Sequence, residues 1–253
     1  MKKLIKRSFS LLLILSLVIS LFASLSVVSA ATSYNTGSFG VVCTSLSSQA
    51  TSYYTGSYTY AKLSAQTGST LKSSISALVT SDRSTVGYNG LKTYFARTDA
   101  VNGSSSTLRL FYCGVKADSS WDSGNTWNRE HMWPDSKGGS ACEGDLHSMR
   151  PTDPTLNSTR GNNPYGDTNG GTAKYSSSTN GSVLGGYLAN SVFEPLDNVK
   201  GDVARAIMYD YCTYSALSDL SLVFTSTDVL LDWIALDPVD EFEMSRNDVI
   251  QDI

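Results

Sequence analysis

Two histidines occur in the chain, His131 and His147, sixteen residues apart in the segment richest in Trp, Arg, Asn, Asp and Pro. His131 directly follows Glu130 within the run Trp127-Asn128-Arg129-Glu130-His131-Met132-Trp133-Pro134. A carboxylate beside an imidazole supplies a hard oxygen ligand and a base that works near neutral pH. Asn157 adds an amide oxygen, while Arg129, Arg150 and Arg160 add planar guanidiniums that match phosphate oxygens. These residue types point to phosphodiester hydrolysis around one divalent cation. Glu130 and Asn157 would hold the ion and His131 would take a proton from the attacking water. The ion would offset charge on the phosphate and on the leaving oxygen. Two protein oxygens with retained waters suit Mg²⁺, or another hard cation such as Mn²⁺ or Ca²⁺; a Zn²⁺ site would want more His or Cys. His147 is expected to pack or to orient the site. Zinc-protease chemistry is excluded, because H-E-x-x-H is absent and an inverted H-x-x-E-H would need histidine where Trp127 stands.

Positioning these groups requires a small platform. Trp127 to Pro134 reads as a strand that Pro134 ends, and Asp145 to Met149 reads as a second, with Gly138-Gly139 in the connection. Strict alternation sends Glu130 and His131 to opposite faces, so both serve one site only at a strand end or bend. The same alternation puts Trp127 and Trp133 on one face, as core residues. Asp153-Pro154 supplies an N-cap and a first-turn proline, and Gly161 closes a helix of about two turns. Asn157 and Arg160 lie three apart and share a face of it.

Around the platform, Leu71, Ile75, Leu78 and Val79 predict a helix over 67–79, and Leu91–Phe95 a short one. Leu108–Tyr112 reads as a strand, and Gly166–Gly186 as a loop with little to bury. The C-terminal third reads as three helices. The first is capped by Asp202, the second by Ser226, and the third begins near Val239 with Phe242, Arg246, Val249 and Ile253 on one face. No stop signal follows, so the C-terminus reads as truncated. Arg205, near a helix start, gains nothing from the dipole there; a phosphate, an ion pair or plain solvent would each account for it.

The first thirty residues read as a secretory signal: Lys2, Lys3, Lys6 and Arg7 precede an apolar stretch diluted by serines, then Val28-Ser29-Ala30. Residues 31–65 form a Ser/Thr/Tyr-rich lead-in, and 66–253 a single domain with no linker or repeat. Loss of the leader's four cations takes the formal charge from −4 to −8. That counts against coating nucleic acid through bulk charge, but not against gripping a few phosphates locally. A soluble, extracellular monomer is expected, with no membrane association once the leader is removed. Cys43, Cys113, Cys142 and Cys212 permit two disulfides in an exported chain, or buried thiols.

The combined pattern resembles the bacterial endonuclease I family. It rests on Trp127–Pro134, Asp145-Leu146-His147, Arg150-Pro151 and Asn157-Ser158-Thr159-Arg160-Gly161-Asn162. It extends to Phe193-Glu194-Pro195, Lys200–Ala206, Asp237-Pro238 and Arg246-Asn247-Asp248, covering the chain from about Leu71. The resemblance implies an α+β fold, a ββα-metal (His-Me finger) core embedded in a mostly helical domain. It also implies secreted, endonucleolytic cleavage of DNA, and often RNA, with little sequence preference and 5′-phosphate ends. Matched to the family's motif, His131 is the base, and Glu130 and Asn157 bind the metal. Some members hold the cleaved phosphate with an arginine between the two strands; here only Lys137 lies between Asp135 and Glu143. Two further readings are a metal-dependent phosphodiesterase for small nucleotides and an inactive, nuclease-like binding module.

Overall fold

A computed structural model describes residues 58, 60–81 and 83–253. The signal segment and most of the Ser/Thr/Tyr-rich lead-in, including Cys43, lie outside the described residues. The chain runs α1 (Tyr60–Ser64), α2 (Gly68–Ser81), α3 (Gly87–Thr98), β1 (Ala100–Val101), β2 (Ser104–Arg109), β3 (Lys116–Asp118), β4 (Asn128–His131) and β5 (Met149–Thr152). It continues with α4 (Pro154–Arg160), β6 (Thr172–Tyr175), β7 (Leu184–Ala189), β8 (Val192–Pro195), α5 (Asp197–Thr213), α6 (Thr227–Leu236) and α7 (Glu241–Gln251). Three small antiparallel sheets result, ordered β1-β2-β3, β4-β5 and β6-β7-β8. Mixed helix and antiparallel sheet make the fold α+β.

Two apolar clusters flank the β4–β5 pair. Met132 and Trp133, just past β4, join one built on Val203 and Ile207 of α5 and on Tyr165, Phe193 and Trp233. Trp127, just before β4, joins the other with Met149, Leu91 and Phe95 of α3, and Leu108 of β2. Both tryptophans are fully enclosed, as expected of core residues, but they serve different clusters. The reason is that β4 ends at His131, so alternation no longer governs Trp133. The chain then doubles back tightly. A Cβ at Gly139 would lie 1.9 Å from the carbonyl oxygen of Trp133, so only glycine fits there.

The short helix after β5 forms where its signals place it. Asp153 caps α4, its Oδ1 accepting from the backbone N–H of Thr155 (2.9 Å) and Leu156 (3.1 Å), with Pro154 in the first turn. Its Oδ2 accepts from Ser177 N–H (3.0 Å), Ser177 Oγ (2.9 Å) and Asn180 Nδ2 (2.7 Å). Five donors thus depend on one buried carboxylate. Asp153→Ala should cost about 3 kcal/mol, a lost cap plus donors left unpaired in the interior. Urea unfolding measures this, and a loss below about 1 kcal/mol would contradict it.

Four expectations are corrected. The second strand is Met149–Thr152, not residues 145–149. Asp145 instead closes a turn, its carboxylate taking His147 N–H and its carbonyl taking the N–H groups of Ser148 and Met149. The segment 166–186 holds β6 and the start of β7 rather than a loop. Glycine there permits close approach, since a Cβ at Gly185 would lie 2.3 Å from Leu156 of α4. Asp202 sits inside α5, which starts at Asp197; it is buried against Arg205 (3.3 Å). Arg205 also pairs with Glu243 of α7, so its role is an ion pair. The strand expected over 108–112 is β2, which ends at Arg109. Ser226 caps α6 as expected, and α7 begins after its cap, Asp240.

Candidate active site

β4 and α4 carry the candidate residues. Asn128 and Glu130 share one face of β4, and Arg129 and His131 the other. One turn apart on α4, Asn157 and Arg160 meet the first of these faces. The Asn157 amide nitrogen donates to Asn128 Oδ1 (2.6 Å) and to the Arg129 carbonyl (3.4 Å). Those two bonds fix the amide and leave its Oδ1 as the oxygen available to a further ligand. Arg160 donates to the carbonyls of His131 (2.8 Å) and Met132 (2.7 Å), at the end of β4.

Glu130 is 1% exposed, and its polar contacts converge on one oxygen. Oε1 accepts from Tyr112 Oη (2.8 Å), lies 3.5 Å from Tyr165 Oη and pairs with the Arg160 guanidinium at 3.1 Å. The two tyrosine hydroxyls are themselves 2.7 Å apart. Tyr165 is held by backbone bonds to Val223 and Thr225, and its ring lies 4.4 Å from the Arg160 guanidinium. Burial raises the Glu130 pKa, opposed by Arg160 and then by the two hydroxyls. Burial also pushes the Tyr112 hydroxyl well up, helped by the Glu130 charge, so it stays a donor. Burial works against the Arg160 charge, but Tyr165, Glu130 and Tyr112 outweigh it and its pKa rises. Among the described residues Oε2 takes no hydrogen bond. A carboxylate anchored through one oxygen, beside an amide anchored through its nitrogen, fits a hard cation that takes one oxygen from each.

His131 is half-buried on the opposite face. Its Nε2 is buried without a hydrogen-bond partner. Burial lowers its pKa, against the pull of Asp135 and Glu143. The imidazole therefore favours the neutral, proton-accepting form. Its ring packs on Tyr88 with centroids 5.5 Å apart.

A family model described as Endonuclease I matches residues 67–253. The chain belongs to the endonuclease I family. Two curated relatives, both called extracellular ribonuclease, come from Bacillus subtilis (strain 168) and Bacillus amyloliquefaciens. Each is 32% identical over 210 residues, covering 76% of this chain and 70% of the relative. The reaction class set by the family is nuclease chemistry, and the strand, strand and helix of 128–160 carry the residues suited to it.

Within the endonuclease I frame, the three arginines separate. The Arg160 guanidinium is enclosed and bound to Glu130 and two carbonyls. Arg150 is buried behind β5, 3.8 Å from Asp99 and 5.1 Å from the Phe111 ring. Asp99 also takes Arg246 Nε at 3.0 Å. The expected phosphate contacts of Arg150 and Arg160 do not fit that burial. Arg129 alone keeps part of its surface exposed. Lys137 donates to the Leu222 carbonyl (2.6 Å). His147 lies against Tyr209 (centroids 4.7 Å), and burial pushes its pKa down to about 4, opposed by Asp145. It packs neutral, as expected. Cys113, Cys142 and Cys212 are free thiols, each raised in pKa chiefly by burial. Asn128, Tyr112 and Tyr165 were not singled out by sequence. Asn128 stood inside the motif, whereas the tyrosines come from 18 and 35 residues away and carry no local signal.

Proposed function

We propose that the protein is a secreted, cation-dependent endonuclease that hydrolyses phosphodiester bonds in RNA and DNA with little sequence preference. The observation that carries this reading is the buried, unpartnered Nε2 of His131, one residue along β4 from a Glu130 carboxylate anchored through Oε1. His131 accepts a proton from water as it attacks phosphorus. Glu130 and Asn157 would hold the divalent cation, Mg²⁺ or a similar hard ion, which would supply charge to offset the phosphate and the leaving oxygen. Tyr112, Tyr165 and Arg160 keep Glu130 aimed from behind. Arg129 holds a phosphate oxygen, and Arg150 and Arg160 act as internal supports. The name shared by the two relatives, extracellular ribonuclease, supports secretion and RNA among the substrates. The leader-like first thirty residues support export as well. Among the described residues, no helix is long and apolar enough to cross a membrane.

The test is hydrolysis of supercoiled plasmid and of RNA across Mg²⁺, Mn²⁺, Ca²⁺ and EDTA. Both polymers should shorten with cation, survive in EDTA, and be cut again when Mg²⁺ is restored. Intact plasmid and intact RNA with Mg²⁺ and Mn²⁺ present would overturn the reading. Turnover of bis-p-nitrophenyl phosphate without polymer cleavage would favour a small-nucleotide phosphodiesterase.

A further inference from the structure

One face of β4 leads from His131 and Arg129 into an alternation of rings and cations whose further members, Tyr88, Trp121 and Lys92, the hydrolytic site does not use. Strand spacing puts Arg129 beside His131, two residues apart on that face. Helix spacing puts Tyr88 and Lys92, four apart, on one face of α3. Where the two meet, His131 packs on Tyr88, and the Arg129 guanidinium lies 3.5 Å from the Tyr88 ring centre and 5.0 Å from that of Trp121. Lys92 Nζ follows, 4.9 Å from the same Trp121 ring. The order is therefore His131, Tyr88, Arg129, Trp121, Lys92.

This ladder is both rigid and accessible. Arg129 is tied to the Tyr88 carbonyl (2.8 Å) and Lys92 to Asn89 Oδ1 (3.1 Å). Trp121 leans edge-on against buried Trp127, centroids 5.0 Å apart. Its turn is locked by the Asp122 carboxylate, which takes Asn125 N–H, Thr126 N–H and Thr126 Oγ1. Trp127, Trp133 and Trp233 are enclosed, and Trp121 alone of the four is half-buried. In a chain of formal charge −4, two cations set among aromatic rings beside the base run against the overall balance.

We propose that this ladder is the track for a single nucleic-acid strand flanking the cleaved bond, with a base stacking at Trp121 and phosphates meeting Arg129 and Lys92. It rests on the nuclease reading above. Ring faces accept any base, so the track grips without reading sequence and favours unpaired strands.

The test is binding of a dT12 oligonucleotide to the full-length protein in EDTA, followed by tryptophan fluorescence, with cleavage kinetics in Mg²⁺ alongside. Binding should quench the emission. Trp121→Leu should abolish the quench, weaken binding about tenfold, and raise KM with kcat within about threefold. Lys92→Ala, which leaves the packing intact, should weaken binding and flatten its salt dependence by about 0.7 in log–log slope. Trp121→Phe guards against a folding defect and should retain most of the affinity. Wild-type binding and KM in both Trp121→Leu and Lys92→Ala would overturn the track. The binding arm needs no turnover, so a protein that grips dT12 through Trp121 but cuts no polymer would sink the nuclease reading and leave the track standing.

Discussion

Replacing His131 by alanine should lower kcat by about a thousandfold, within the range a positioned general base contributes. The loss should fall on kcat, because a base that accepts its proton only as water attacks holds no substrate group beforehand. Folding should change little. The ring is half-buried, its Nε2 takes no hydrogen bond, and among the described residues the aromatic ring it packs on is Tyr88. A midpoint of thermal unfolding within a few degrees of wild type, beside the kinetic loss, is the expected pair of results. Turnover within tenfold of wild type would remove His131 as the base.

Arg160→Met should destabilise the protein by about 3–5 kcal/mol, the cost of leaving a buried charge without its partner. Methionine roughly fills the space but removes the guanidinium from Glu130 and from the carbonyls of His131 and Met132 at the end of β4. The tyrosine hydroxyls would then face the carboxylate alone. Adding Glu130→Gln to that variant should recover part of the loss, because the stranded charge disappears. Urea unfolding of the two single variants and the double reads the coupling. A single-variant loss below about 1 kcal/mol would mean that Arg160 is not what balances Glu130.

The sequence disclosed the parts of the fold that are local. Asp153, Pro154 and Gly161 mark α4 because capping and turn chemistry act within a few residues, and Ser226 marks α6 for the same reason. It was silent where distant partners decide. Asp202 has an N-cap's side chain, yet burial against Arg205, which also binds Glu243, places it within a longer helix. The stretch 166–186 looks too poor in apolar residues for a strand, but β8 supplies the edge that β7 pairs with, and α4 covers the small residues. At the candidate site, the residue types that the proposal uses stand in one run of eight residues and, on the capped helix, at Asn157. What surrounds Glu130 was not legible there, since Tyr112 comes from a turn after β2 and Tyr165 from a bridged segment beyond α4. Nor could type alone tell an arginine that faces substrate from one that holds the framework: Arg129, Arg150 and Arg160 read alike until their burial separates them.

The β4–β5 pair has Trp127 planted in one apolar cluster and Trp133 in the other. A strand of four residues, paired with a single neighbour, has little stability of its own and borrows it from both sides. The candidate site is thus the keystone of an arch: neither apolar cluster can loosen without disturbing it. Loss of shape in either cluster should therefore carry nuclease activity away with it.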